Sequence, residues 1–196
     1  MKRTYFTSWH FALILAAVVL FLTDRKPPAP QTKAPAPVWQ VYFSPSGGAT
    51  DAIIEALDDA RTSILVQAYS FTSERIAQAL ARAHARGVQV QVLLDNSQRI
   101  QKYTVVDLLN RADIPTLIDA DHSIAHNKVM IIDNRIVVTG SFNFTKAAEE
   151  RNAENLLVIS DVDLADRYAQ NWRAHQSHSE LLKSSAIPNR FKPNQN

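Results

Sequence analysis

Residues 126–143 read HNKVMIIDNRIVVTGSFN and concentrate groups able to do chemistry. His126 and Lys128 stand two apart on a predicted strand over 126–132, a spacing that puts both side chains on one face. Asp133 follows after four residues, and six more lead to Gly140 and Ser141, with Asn143 just beyond. A neutral imidazole is a nucleophile from which no proton need be removed, and its ordinary pKa of about 6.5 keeps an unprotonated fraction near neutral pH. Lysine supplies fixed positive charge, and Ser141 and Asn143 supply hydrogen-bond donors, for oxygens on which negative charge develops. Gly140 permits close backbone approach.

Taken singly, these residues have plainer roles: a hydrogen-bonded structural histidine, a solvated strand lysine, a turn aspartate, a strand terminus. The joint spacing decides otherwise. Six specified residues at fixed offsets arise by chance in a chain of this length on the order of one time in a million. The pattern resembles the HKD signature of the phospholipase D superfamily, His-x-Lys-x4-Asp-x6-Gly-Ser-x-Asn, with every defined position matched. Asn152-Ala153-Glu154-Asn155 follows, and the family carries a glutamate at this distance. One copy of the signature is present, so the chain resembles the small single-motif branch, the exported Nuc-type endonucleases, over residues 38–187.

The resemblance implies phosphodiester hydrolysis through a covalent phosphohistidine on His126. Lys128, Ser141 and Asn143 would hold the phosphate oxygens beside Gly140, and Glu154 would accept from the other ring nitrogen of His126. Asp133 is expected behind them, holding the hairpin. No cofactor is implied. No metal is expected either, because the chain has no His-Glu-x-x-His, no Asp-x-Asp ladder and no cysteine. The expected substrate is nucleic acid, DNA ahead of RNA. Phospholipid hydrolysis or transphosphatidylation is the alternative within the same chemistry, and a non-catalytic envelope module that binds DNA or acts as a scaffold is the alternative of another class.

Cleavage also needs a general acid, which the second signature's histidine supplies in two-motif relatives. A homodimer with the active site at its interface, pairing two copies of His126, is therefore expected. His122, four residues upstream, reads as surface without a role. Arg75, Arg82, Arg86, Arg99 and Lys102 are candidates for tracking a phosphate backbone, although Arg82 and Arg86 equally suit a solvated helix face.

The elements that must position these groups are legible as blocks. Val38 to Phe43 alternates as a strand, and Asp51 to Ala60 follows as a helix with Ile53, Ile54 and Leu57 inward. A strand over Ser63 to Tyr69 leads to a helix over Glu74 to Arg86, capped by Thr72 or Ser73 and stopped by Gly87. Val88 to Leu94 is the clearest strand. A helix near 104–112 and a short strand near 116–118 precede a hairpin of 126–132 and 136–139 that turns at Asp133-Asn134-Arg135. A strand over 156–159 and a helix over 163–175 complete an α/β fold, a mixed central sheet with helices on both faces, after an N-terminal signal or anchor helix. The opening strand-helix succession argues for parallel pairing of the first three strands.

Charge and composition locate the remainder. Five of the 21 basic residues and one of the 19 acidic residues precede residue 38, which leaves the rest formally at −2. Basicity therefore belongs to the leader, and a phosphate-binding surface must be local. Lys2-Arg3 followed by the apolar run Phe11 to Leu22 is export architecture, so residues 1–26 are expected to be a signal peptide or membrane anchor. Residues 27–37, PPAPQTKAPAP, form a Pro/Ala-rich linker, 38–187 the catalytic domain and 188–196 a C-terminal tail. The expected location is the periplasm or the periplasmic face of the inner membrane. Zero cysteines exclude disulfide scaffolds and thiol catalysis.

Overall fold

The computed structural model describes residues 38–100 and 104–182; the expected leader, linker, C-terminal tail and Lys102 lie outside them. The described chain runs β1 (Val38–Ser44), α1 (Ala49–Asp58), β2 (Ser63–Ala68), α2 (Glu74–Ala85), β3 (Gln89–Asp95), a 3-10 turn (Asn96–Arg99) and α3 (Val106–Arg111). It continues through β4 (Thr116–Asp119), β5 (Lys128–Ile132), β6 (Ile136–Gly140), α4 (Lys146–Glu150), β7 (Glu154–Ser160), α5 (Val162–Gln176) and β8 (Glu180–Leu181). Eight strands form one mixed sheet in the order β1-β7-β6-β5-β2-β3-β4-β8.

Among the described strands only β2–β3 and β3–β4 pair in parallel. The expected parallel pairing of β1 with β2 is wrong: β1 lies at the far edge, antiparallel to β7, with Tyr42 opposite Leu156 and Ser44 opposite Glu154. Local pattern fixes that a segment is a strand, but its neighbour is chosen by long-range burial that the pattern does not encode.

Strand alternation splits the interior into two layers. On one face Val66, Val92, Leu94, Met130, Val138 and Leu156 pack beneath Ile53 and Leu57 of α1, Ile76 and Leu80 of α2, and Leu109 of α3. On the other, Leu93, Val129, Ile131 and Val137 meet Ala165, Ala169 and Trp172 of α5. Trp172 is 1% exposed, and its Nε1 donates to the Val66 carbonyl at 2.9 Å. Truncating such a residue typically costs about 3–5 kcal/mol, so α5 is firmly seated. Ser73 occupies the N-cap of α2 without a side-chain capping bond, and Gly87, at φ 92°, follows the helix end.

The β5–β6 hairpin turns on Asp133 and Asn134, both at positive φ (53° and 48°), with Arg135 N donating to Ile132 O at 3.0 Å. Positive φ at both central residues is the primed turn geometry that matches strand twist, and Asp and Asn tolerate it best after glycine. The expected hairpin is present. Its first strand begins at Lys128, which leaves His126 in the connection just before it and not on the expected strand.

Candidate active site

Lys128 enters β5 opposite Ala68, the last residue of β2. The carboxyl ends of β2, β3 and β4 therefore share one sheet edge with the start of β5, the end of β6 and the start of β7. In α/β sheets that edge is where ligands are held.

Three groups converge there. The His126 ring is exposed and lies 4.6 Å, centroid to centroid, from the ring of Tyr69, which follows β2. Lys128 is 6% exposed, and its Nζ sits 5.1 Å from the same Tyr69 centroid while donating to the His126 carbonyl at 2.8 Å. Burial pushes the Lys128 ammonium down from its ordinary range, and the negative charge of Glu154 acts in the opposite sense. The buried cation thus braces the backbone of the residue whose ring faces solvent. Tyr69 was not singled out by spacing; its signal is its place at the end of the strand that pairs with the histidine segment.

The β6–β7 side supplies the acceptors. Glu154 Oε2 accepts from Ser141 Oγ at 2.6 Å and Oε1 from Asn152 Nδ2 at 3.1 Å, while Ser141 Oγ accepts from Asn155 N at 3.1 Å. Among the described residues no hydrogen bond joins Glu154 to the His126 ring, so the carboxylate is engaged with Ser141 and Asn152 instead of the expected imidazole. Asn143 is half-buried, and its Oδ1 is buried without a partner. Gly140, at φ 150°, leaves no room for a Cβ because the Asn155 carbonyl occupies that position. The close approach that requires glycine is thus between β6 and β7 and not toward a substrate.

Asp133 stands apart from this group. Asp133 lies five positions beyond Lys128, with the other four residues of β5 between them, about 16 Å at the rise of a strand. Its carboxylate accepts from the backbone of Arg61, Thr62 and Ser63 at 2.7–3.2 Å and from Thr62 Oγ1 at 2.9 Å. Burial would raise its pKa, but the bonds from Ser63, Thr62 and Arg61 outweigh that and hold it below the usual carboxylate range. Asp133 ties the hairpin to the loop that starts β2.

The arginines expected along a phosphate track are already paired. Arg75 meets Asp51 at 2.6 Å, Arg82 meets Asp58 at 3.0 Å, and Arg86 reaches Asp58 at 3.8 Å and the Leu57 carbonyl at 2.9 Å. Arg99 meets Glu180 at 2.5 Å. The first three fasten α2 to α1, and Arg99 fastens the 3-10 turn to β8.

His122 is not a bare surface residue. Its Nδ1 lies 3.0 Å from the fully buried carboxylate of Asp119, to which His175 Nδ1 also comes within 2.8 Å and His178 Nε2 within 3.5 Å. Sequence patterns for metal ligands miss this group because its members sit on β4, the following loop, the end of α5 and the turn after it.

The model of the family described as "Cardiolipin synthase, PLD-like domain" matches residues 53–175. A phospholipase D of Rickettsia bellii is 50% identical over 137 residues, covering 70% of this chain and 68% of that protein. The structure of Nuc from Salmonella typhimurium, a phospholipase D family member, superposes with a TM-score of 0.72 at 38% identity, covering 76% of this chain and 99% of that one. NucT from Helicobacter pylori gives 0.68 at 25% identity over 74% and 99%. The family model reaches from α1 to the end of α5 and takes in the exposed histidine, the buried lysine and the Ser141–Glu154 pair, so the chain is a phosphodiesterase belonging to the phospholipase D superfamily.

Proposed function

We propose that this protein is an exported endonuclease that hydrolyses nucleic-acid phosphodiesters, DNA ahead of RNA, through a phosphohistidine on His126. The observation that carries this is the exposed His126 ring at the sheet edge, with the buried Lys128 ammonium bonded to the same residue's carbonyl and both set against Tyr69. A ring nitrogen attacks phosphorus, the P–O bond to the leaving alcohol breaks, and the alcohol oxygen takes a proton from His126 of a second copy. Water then attacks the phosphohistidine and gives its proton to that second imidazole as the P–N bond breaks, restoring both rings. Lys128 offsets charge on the phosphate oxygens, and Asn143 offers its carboxamide to them.

A two-fold dimer supplies the second imidazole. Its support is the sheet edge: Trp39, Val41 and Phe43 share one face of β1 and are 63%, 40% and 65% exposed. Phe43 lies opposite Asn155, one residue from Glu154, so the apolar face runs up to the site. A second copy covering it would bury the face and bring in its own histidine. The leader and linker pattern of the sequence supports a location in the periplasm or at the periplasmic face of the inner membrane.

Phospholipid cleavage is the second reading, favoured by the 50% identity to a protein named phospholipase D. Purified enzyme offered supercoiled plasmid, single-stranded DNA, RNA and phosphatidylcholine vesicles decides. Nicking of plasmid with no choline release is expected. Choline release with intact nucleic acid would establish the lipid reading, and no turnover on any of them, or on bis-p-nitrophenyl phosphate, would leave a binding module.

A further inference from the structure

Asp119 closes β4 and is 0% exposed. Its Oδ1 receives the backbone N–H groups of Asp121 and His122 at 3.2 and 3.3 Å. His122 Nδ1 lies 3.1 Å from Oδ1 and 3.0 Å from Oδ2, and Oδ2 also faces His175 Nδ1 at 2.8 Å and His178 Nε2 at 3.5 Å. One carboxylate thus faces two backbone N–H groups and three ring nitrogens, five partners for about four lone-pair sites. The three imidazoles also cluster around one point, with centroids 4.8, 5.2 and 5.5 Å apart.

The four ligand atoms all lie within 4.8 Å of one another. Tetrahedral zinc, with bonds of about 2.0–2.1 Å, sets its ligand atoms about 3.3 Å apart. The three separations from Asp119 Oδ2 bracket that value, and small rotations of His122 and His178, whose side chains are 47% and 30% exposed, bring in the rest. Three imidazoles and one carboxylate suit borderline first-row divalent ions and not magnesium or calcium, which prefer all-oxygen shells. Four protein ligands make a closed, structural site. Backbone N–H bonds to Oδ1 orient the carboxylate, as the supporting bonds of metal ligands do.

We propose that Asp119, His122, His175 and His178 bind one zinc-type divalent ion that fastens the segment leading to His126 onto the C-terminal end of α5. His122 and His126 lie four residues apart on one connection between β4 and β5, whose Ala125 N–H is also held by Asp95 Oδ2 at 2.7 Å. The ion takes no part in P–O cleavage; it restrains the stretch of backbone that presents the nucleophile.

The test uses the full chain without a histidine tag, stripped by chelator and titrated with zinc chloride under calorimetry, with elemental analysis of the dialysed protein. One zinc per chain with a dissociation constant of about 10 μM or tighter is expected, together with a higher melting temperature. His122→Ala and His178→Ala, both at exposed positions outside helices, should each weaken binding at least about tenfold while keeping the far-ultraviolet spectrum. His126→Ala should bind zinc like the native chain, which separates this site from the catalytic one. Binding weaker than about 10 μM, unchanged affinity in both single variants, or loss of binding in His126→Ala would overturn the proposal.

Discussion

The Ser141 hydroxyl donates to Glu154 Oε2 at 2.6 Å, joining the end of β6 to the start of β7 across the candidate site. The hydroxyl proton is committed to that carboxylate, and the same Glu154 charge favours the charged form of Lys128. One acidic group thus organises a serine and a lysine from two strands.

Glu154→Gln is therefore expected to keep the fold and lower kcat by about 10²-fold or more, since it removes the charge that balances Lys128 and the anionic acceptor of Ser141. Steady-state rates at matched folded protein measure this. A rate within twofold of native would remove Glu154 from the machinery.

Asp133→Ala should act on stability and not on chemistry. It strips the acceptor of three backbone N–H groups and the Thr62 hydroxyl, a loss of roughly 1–3 kcal/mol, with kcat unchanged. The pH dependence follows from the lowered pKa of Asp133. Its ionised form stabilises fully above the unfolded value of about 3.9, and the contribution fades as pH falls through the lower folded value. Melting curves should show native and variant separated at neutral pH and converging in acid. A gap that widens in acid would reverse the assignment.

The two sites should respond differently to chelation. Among the described residues the one group of three or more metal-ligating side chains is the Asp119 cluster, not the surroundings of His126. Excess EDTA is expected to lower the melting temperature yet leave turnover within about twofold well below that temperature. Loss of turnover at an unchanged melting temperature, restored by magnesium or zinc, would contradict a metal-free reaction.

How much of this is legible in sequence follows from the range of each interaction. His126, Lys128, Ser141 and Asn143 lie on one hairpin and its flanks, so their spacing alone carries the chemistry. The hairpin turn is equally local, since Asp133 and Asn134 announce it by residue type. Tyr69 is invisible until β2 is known to pair with β5. The arginine pairings depend on α1 packing beside α2, and spacing within either helix gives no sign of Asp51 or Asp58 as partners. The Asp119 cluster is the extreme case: 56 residues separate Asp119 from His175. The edge position of β1 eluded the pattern for the same reason, because only the closed sheet order places Ser44 opposite Glu154.

Trp39→Glu with Phe43→Glu should yield a monomer by sedimentation and lose most activity, because charge on that face opposes burial against a second copy. Mixtures of native and His126→Ala chains, after verified subunit exchange, should follow the square of the native fraction, giving about a quarter of full activity at equal mixing. A linear dependence would make each chain self-sufficient.

The most direct test is to trap the enzyme intermediate. Turnover of bis-p-nitrophenyl phosphate is quenched in base, where phosphohistidine persists, and the protein is digested and mapped by mass spectrometry. A nitrophenyl phosphate adduct on the peptide containing His126, absent from His126→Ala and chased away by longer incubation, is the predicted result. Turnover without any adduct on His126, or an adduct on another residue, would contradict the account.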